Sequence, residues 1–282
     1  MRREDLTKAQ RWAVADKLAE DRLPMVNAMS EKVHPSNTLY ARYGKRVLDV
    51  VISAAALVVT APINAVAAVM TLKDVGRPIM FKQERIGKDG KPFVIVKFRN
   101  MTNETDENGD LLPPEQRVTK FGHFMRKTSL DELLNFWSIF KGDMSIIGPR
   151  PLVPEYTDRY SDRHKMRLAV RPGLECPPRD IGTHVWTWQE QFENDVWYVE
   201  HVSFKTDCMM FVNLVRFAFD KKSAEARAMA KRGIFMGYDE NGQAINLEQV
   251  PQEYIDAAGQ HDWEIEGTHA IPARGELTDE SA

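Results

Sequence analysis

The chain has 282 residues, enough for one or two domains, and its 43% hydrophobic and 28% charged residues match the average of a globular protein. Two cysteines, Cys176 and Cys208, form no CxxC pair and no metal-ligand spacing, which excludes a zinc framework and suits inert thiols in a reducing compartment. The net charge of −3 is uneven: residues 234–282 hold eleven acidic residues and one basic one, Arg274, so the body before them is cationic.

A cationic body suits an anionic partner, such as a phosphate compound or a lipid headgroup surface, and nucleic acid is not expected. The acidic segment alone reads as a solvated, disordered tail. In chain order, the first thirty residues are charged throughout and lack the apolar stretch of a signal peptide. The spacing of Leu6, Ala9, Trp12, Ala13, Ala15 and Leu18 predicts a helix over 4–22. Pro24, Pro35, Ser36 and Asn37 then mark irregular chain, and the start reads as an appendage for docking or dimerisation.

Residues 47–72 form an apolar run with one charge, Asp49. A straight helix of that length would span about 39 Å, more than the ~30 Å hydrocarbon core of a bilayer. Pro62 interrupts it, flanked by Thr60 and Asn64, and both ends are basic: Arg42, Lys45 and Arg46 before, Lys73, Arg77, Lys82 and Arg85 after. Both ends are therefore expected on the cytoplasmic side, with a helix that enters one leaflet, bends at Thr60-Ala61-Pro62 and returns. The plain alternative is a buried core helix.

Residues 78–101 predict a β-hairpin turning at Lys88-Asp89-Gly90. Asp106, Asn108 and Asp110 imitate a calcium loop, but Leu111 stands where glycine should, so no calcium site is expected. Residues 119–140 predict one helix, Pro149, Pro151 and Pro154 a stiff connector, and 155–169 another basic helix. Residues 186–219 combine Trp186, Trp188, Trp197 and Tyr198 with an amphipathic helix, which suits a membrane interface and an ordinary core equally.

The chemistry is expected in residues 126–152. Ser129 and Glu132 have capping-box spacing, so Asp131 and Glu132 read first as helix-start residues. Their surroundings favour more: Arg126, the Arg150 of a GPRP turn, and Lys97 and Arg99 on the preceding strand could hold a diphosphate. Adjacent helical carboxylates point about 100° apart, so one can attack phosphorus while the other holds a metal or orients a group.

The blocks KRVLDVV (45–51), GRPIMFKQERIGKDGKPFVIVKFRNM (76–101), SLDELLNFWSIFKGDMSIIGPRPL (129–152), RPG (171–173) and WQEQFENDVWYVEHVSF (188–204) resemble, in order, the bacterial sugar transferases, the monotopic polyprenyl-phosphate phosphoglycosyl transferases. The resemblance implies an α/β, mainly helical, monotopic membrane protein. It would carry a re-entrant helix-break-helix, a small β-hairpin and interfacial amphipathic helices around the active site. The resemblance covers a catalytic domain over 45–220, leaving an appendage over 1–44 and a C-terminal extension over 221–282 outside it. Asp131 would attack the β-phosphorus of a UDP-sugar, release UMP and hold the phosphosugar until polyprenyl phosphate takes it. Asp131 and Glu132 would bind Mg2+, and Lys97, Arg126 and Arg150 would bind phosphate, with Arg99 added from its place beside Lys97 on the strand. Expected partners are a UDP-sugar, polyprenyl phosphate, membrane lipids and a second copy of the chain, at the cytoplasmic face of a bacterial inner membrane. Two departures stand out: Ala61-Pro62 replaces the usual Ser-Pro, and LECPPRDIG follows RPG where the family has a Gly- and Gln-containing stretch. Two other readings stay open: a silent membrane-bound scaffold of a glycan assembly complex, and a glycosyltransferase working without a covalent step.

Overall fold

A computed structural model describes residues 1–105, 112–179, 187–219 and 232–273. The helices are α1 (Lys8–Met29), α2 (Lys45–Val75), α3 (Pro114–Arg117), α4 (Lys120–Thr128), α5 (Asn135–Lys141), α6 (Asp162–Lys165), α7 (Trp188–His201), α8 (Phe204–Phe219) and α9 (Gln252–Gly259). The strands are β1 (Met80–Ile86), β2 (Pro92–Phe98), β3 (Ser145–Ile147), β4 (Gly173–Glu175), β5 (Phe235–Tyr238), β6 (Ala244–Asn246), β7 (Trp263–Glu266) and β8 (His269–Pro272). They pair as four two-stranded sheets, of which only β3–β4 is parallel. The architecture is mainly helical with one long apolar helix, as expected. The rejected calcium loop and Trp186 fall outside the described residues.

Helix α2, with the π-helical turn Tyr40–Gly44 before it, is long and apolar enough to cross a membrane. Its middle is open, with Val58, Val59 and Val66 each more than 60% exposed, which argues against a buried core helix. Both ends are tied to the body. At the start, Lys45 pairs with Asp207 at 2.7 Å, Arg46 donates to the carbonyls of Ile139 and Phe140, and buried Asp49 accepts from Ser145 and the Ile146 N–H. At the end, Thr119 donates to Asp74, and Arg99 donates to the Val75 carbonyl. The expected end of a helix at Pro62 is not found, because α2 runs through Thr60, Ala61 and Pro62. Proline removes one donor there, but the neighbouring polar groups bond inside the helix: Thr60 donates to the Ala56 carbonyl at 2.7 Å and Asn64 to the Thr60 hydroxyl at 3.4 Å.

The expected helix over 4–22 starts later and runs further. Thr7 and Gln10 form a capping box that starts α1, which continues through Pro24 to Met29. The reading of a disordered acidic tail is corrected for 234–273. Met236, Ile245, Val250, Ile255 and Ala258 form one buried cluster with Leu6, just before α1, and with Val14, Ala15 and Leu18 of α1. Apolar residues at the right spacing within an acidic composition are enough to fold it. A second cluster joins this unit to the body through Val26, Tyr156, Trp188, Phe192, Phe235 and Tyr238. Trp188 thus lies in a core rather than at a lipid surface. The basic helix expected over 155–169 is split into 3-10 turns at Pro154–Arg159 and Met166–Ala169 around the short α6.

Beneath the centre of the body, Arg167 and Asp195 pair at 2.8 Å with almost no exposure. Asp195→Ala would leave a buried guanidinium unpaired, at a cost of about 3–5 kcal/mol. A chemical denaturation midpoint well below the wild-type value is the expected measurement. Nearby, Glu193 accepts from Arg163 at 2.6 Å and faces His164 Nε2 at 3.0 Å. Burial pushes its carboxyl up, but Arg163 and His164 outweigh this and hold it down at about 2. A depressed carboxylate stabilises the fold above its unfolded value, near 4.5, and that contribution is lost as pH falls from there towards about 2. Glu193→Gln should therefore flatten the loss of thermal stability across that acid range.

Candidate active site

The long helix expected over 119–140 is broken in its middle. Helix α4 ends at Thr128, Ser129 adopts the left-handed conformation (φ 55°, ψ 21°), and Leu130–Glu132 form a single 3-10 turn before α5. The capping box expected from Ser129 and Glu132 is absent, since the Ser129 side chain caps nothing there. Glu132 is drawn away by stronger partners: its Oε1 accepts from Lys97 Nζ at 2.5 Å and from Arg150 at 2.8 Å. A left-handed serine is costly outside glycine, and such strain is tolerated where surrounding contacts fix the turn.

In a 3-10 turn successive side chains point about 120° apart, so Leu130, Asp131 and Glu132 serve three surroundings. Leu130 lines an apolar groove of about 340 Å3 shared with Pro62, Ile63, Val66 and Met70 of α2 and with Phe121 and Phe124 of α4. Glu132 lines a small polar cleft of about 30 Å3 on the other side, with Lys97, Asn135 and Arg150 among its walls. Asp131, the residue between these two in the chain, is only 6% exposed.

Strand β2 delivers Lys97, and the chain just beyond it delivers Asn100. Asn100 Nδ2 donates to Asp131 Oδ2 at 3.0 Å, while its Oδ1 accepts from Arg126 at 3.0 Å. One carboxamide thus links the cation to the carboxylate. Gly122 makes this possible: a Cβ there would lie 2.1 Å from the Asn100 carbonyl oxygen, so only glycine lets α4 approach so closely. Arg150 leaves the proline-braced turn to bond Glu132 and, at 3.0 Å, Glu175 Oε2 of β4.

The two carboxylates are held in different electrostatic states. Burial, then the neighbouring charge of Glu132, push Asp131 above the ordinary aspartate value despite Lys97 and Arg126. Burial also pushes Glu132 up, but Arg150 and Lys97 overcome it and keep it below the usual range. Environments that drive two adjacent acids apart equip them for different tasks.

The structure brings Lys97, Arg126, Arg150, Asp131 and Glu132 together. It does not bring Arg99 to the carboxylates, because its guanidinium caps the C-terminal end of α2 at Val75. Helix ends carry unsatisfied carbonyls, which attract an arginine. Asn100 and Glu175 were not read as site residues. Asn100 adjoins Arg99 at the end of a β-prone run, and Glu175 lies in the stretch that departs from the family pattern, so nothing in their spacing pointed to the dyad. No group of three metal-ligating side chains is present among the described residues; Asp131 and Glu132 are the neighbouring carboxylates that could hold a divalent ion at this site. Mg2+ accepts such a set, completing its shell with phosphate and water.

Residues 40–221 match the family described as bacterial sugar transferase. The chain is 44% identical over 149 residues to "Uncharacterized sugar transferase EpsL" of Bacillus subtilis, covering 53% of this chain and 73% of that one. It is 31% identical over 214 residues to the "UDP-glucose:undecaprenyl-phosphate glucose-1-phosphate transferase" of Klebsiella pneumoniae, covering 72% of this chain and 45% of that one. It is 33% identical over 201 residues to the "Undecaprenyl-phosphate galactose phosphotransferase" of Salmonella typhimurium, covering 65% and 42%. The chain therefore spans less than half the length of these last two relatives.

Proposed function

Because the chain belongs to the bacterial sugar transferase family, we propose that it moves a sugar 1-phosphate from a UDP-sugar onto a polyprenyl phosphate at a membrane surface. The observation that carries this reading is the single turn Leu130–Glu132, in which Leu130 lines an apolar groove, Glu132 lines a cationic cleft, and Asp131 is the residue that joins them. A water-soluble donor and a lipid acceptor need two such sites meeting at one reactive group. The names of the Klebsiella and Salmonella relatives fit the same chemistry.

Asp131 is the nucleophile in this account. One carboxylate oxygen bonds to the β-phosphorus of the donor as the bond from that phosphorus to the bridging oxygen breaks, and UMP leaves with that oxygen. A phosphate oxygen of the acceptor then attacks the same phosphorus, the bond to Asp131 breaks, and the carboxylate is regenerated. Two in-line displacements divide one hard transfer into two easier ones. Arg126 acts through Asn100 to hold the nucleophile, while Lys97 and Arg150 neutralise phosphate oxygens. Asp131 and Glu132 would hold Mg2+, which supplies further charge neutralisation on the diphosphate. Burial of Asp131 keeps water from competing with the acceptor.

The open middle of α2, with both ends bound to the body, supports insertion of that stretch into the membrane from the cytoplasmic face. Exposed Trp137, Phe140, Phe204 and Phe211 would lie at the same interface. The apolar groove then takes the first isoprene units of the acceptor. Phe124, half exposed on the groove wall, contributes apolar contact there. Phe124→Ser should raise the KM for polyprenyl phosphate about tenfold, while UMP formation in the absence of acceptor stays unchanged.

The direct test is nucleotide release from a panel of UDP-sugars with undecaprenyl phosphate and Mg2+. UMP release that depends on a particular UDP-sugar supports the proposal. UDP release would point to glycosyl transfer without a covalent step, and no nucleotide release to a silent scaffold.

A further inference from the structure

The cleft that holds Glu132 has a third cation besides Lys97 and Arg150, namely Arg85 of β1. Its position follows from the hairpin register: Arg85 pairs with Phe93 and Phe81 with Lys97, and antiparallel partners share a face. Arg85, Gln83, Ile95 and Lys97 therefore project from one face of the hairpin. The Ile86 N–H donates to the Leu152 carbonyl at 3.1 Å, which fixes this end of β1 against the segment that carries Arg150.

Arg85 differs from its neighbours in being left without an anion. Lys97 and Arg150 both bond Glu132, and Arg150 also bonds Glu175. Among the described residues the Arg85 guanidinium donates only to the Gln83 side-chain carbonyl, at 2.7 Å, and its buried Nε has no hydrogen-bond partner. Among the described residues no carboxylate pairs with it; Glu155 and Glu132 act on it only from a distance. Burial, then the like charge of Arg150, weaken its hold on its proton. A half-buried cation facing another cation, with the cleft's lining carboxylate, Glu132, bonded to Lys97 and Arg150 instead, is an unfavourable arrangement that a bound anion relieves.

We propose that Arg85 binds the diphosphate of the donor, completing with Lys97 and Arg150 a three-cation cradle beside the carboxylate pair. The proposal rests on the functional reading above, which supplies the nucleoside diphosphate. Lys97 and Arg150 are bonded to Glu132 and Glu175 before substrate arrives, whereas Arg85 has no carboxylate bonded to it among the described residues. Arg85 should therefore dominate ground-state binding of the diphosphate, and the dyad its chemistry.

The test uses the full chain in lipid nanodiscs and UDP, which carries the diphosphate without a transferable sugar. Arg85→Gln should weaken UDP binding about ten- to hundredfold by calorimetry, and Arg85→Lys should fall between it and wild type. With UDP-sugar, Arg85→Gln should raise the donor KM far more than it lowers kcat. Arg85→Met keeps the apolar stem without the charge and serves if the glutamine variant does not fold. Unchanged UDP affinity in a folded neutral variant would overturn the inference, as would failure of the wild type to bind UDP. If wild type binds UDP through Arg85 but releases no UMP from any UDP-sugar, the inference stands and the transfer reading fails.

Discussion

Asp131→Asn should abolish transfer, lowering kcat by at least about a thousandfold, the scale expected when a nucleophile is removed. The substitution is nearly isosteric, and the new amide oxygen could still take a hydrogen bond from Asn100. Loss of activity would therefore report lost nucleophilicity rather than lost fold. The buried carboxylate is already destabilised by its surroundings, so replacing it with an amide should leave thermal stability intact or slightly raised. Assaying UMP release and lipid-linked sugar together makes the prediction sharp, because in the proposed mechanism both half-reactions pass through the Asp131 carboxylate. A variant that still released UMP but made no lipid product would need a different nucleophile for the first step.

Glu132→Gln should lower kcat about a hundred- to thousandfold, less than the loss at Asp131. Glu132 bonds two cations through one oxygen, so its charge fixes where Lys97 and Arg150 stand. An amide in its place keeps the shape but can accept only neutral-strength hydrogen bonds, leaving both cations free to shift. Its role as an expected metal ligand would be weakened at the same time. Activity that recovers partly at high Mg2+ would assign most of the loss to the ion; activity that does not would assign it to the cations. A kcat near the wild-type value would remove Glu132 from the mechanism.

The sequence disclosed the site more fully than the fold around it. Asp131, Glu132, Lys97, Arg126 and Arg150 were legible because acids and cations crowd a short, motif-rich stretch, and the hairpin was legible from its Lys88-Asp89-Gly90 turn and β-prone strand. The break at Ser129 was hidden, since a serine followed by LDEL has every local feature of a helix start, and only long-range pairing of Glu132 shows that the side chain is engaged elsewhere. Arg99 misled for the opposite reason: a cation two residues from Lys97 on a strand shares its face by alternation, but the strand ends at Phe98 and the helix end beside it takes the guanidinium. Residues 234–273 were obscured by composition. Their acidic surface suggested solvation, while the apolar residues that pack on α1 are separated from it by more than two hundred positions. The break expected at Thr60-Ala61-Pro62 does not divide α2, which runs through all three residues.

The central claim is that the Asp131 carboxylate becomes bonded to phosphorus. The measurement closest to it is intact-protein and peptide mass spectrometry after mixing the enzyme with its UDP-sugar and Mg2+ without lipid acceptor. The account predicts one added sugar phosphate per chain, mapped to the peptide containing Asp131, that disappears when polyprenyl phosphate is added. An active enzyme that forms no such adduct under single-turnover conditions, or carries it on another residue, would contradict it.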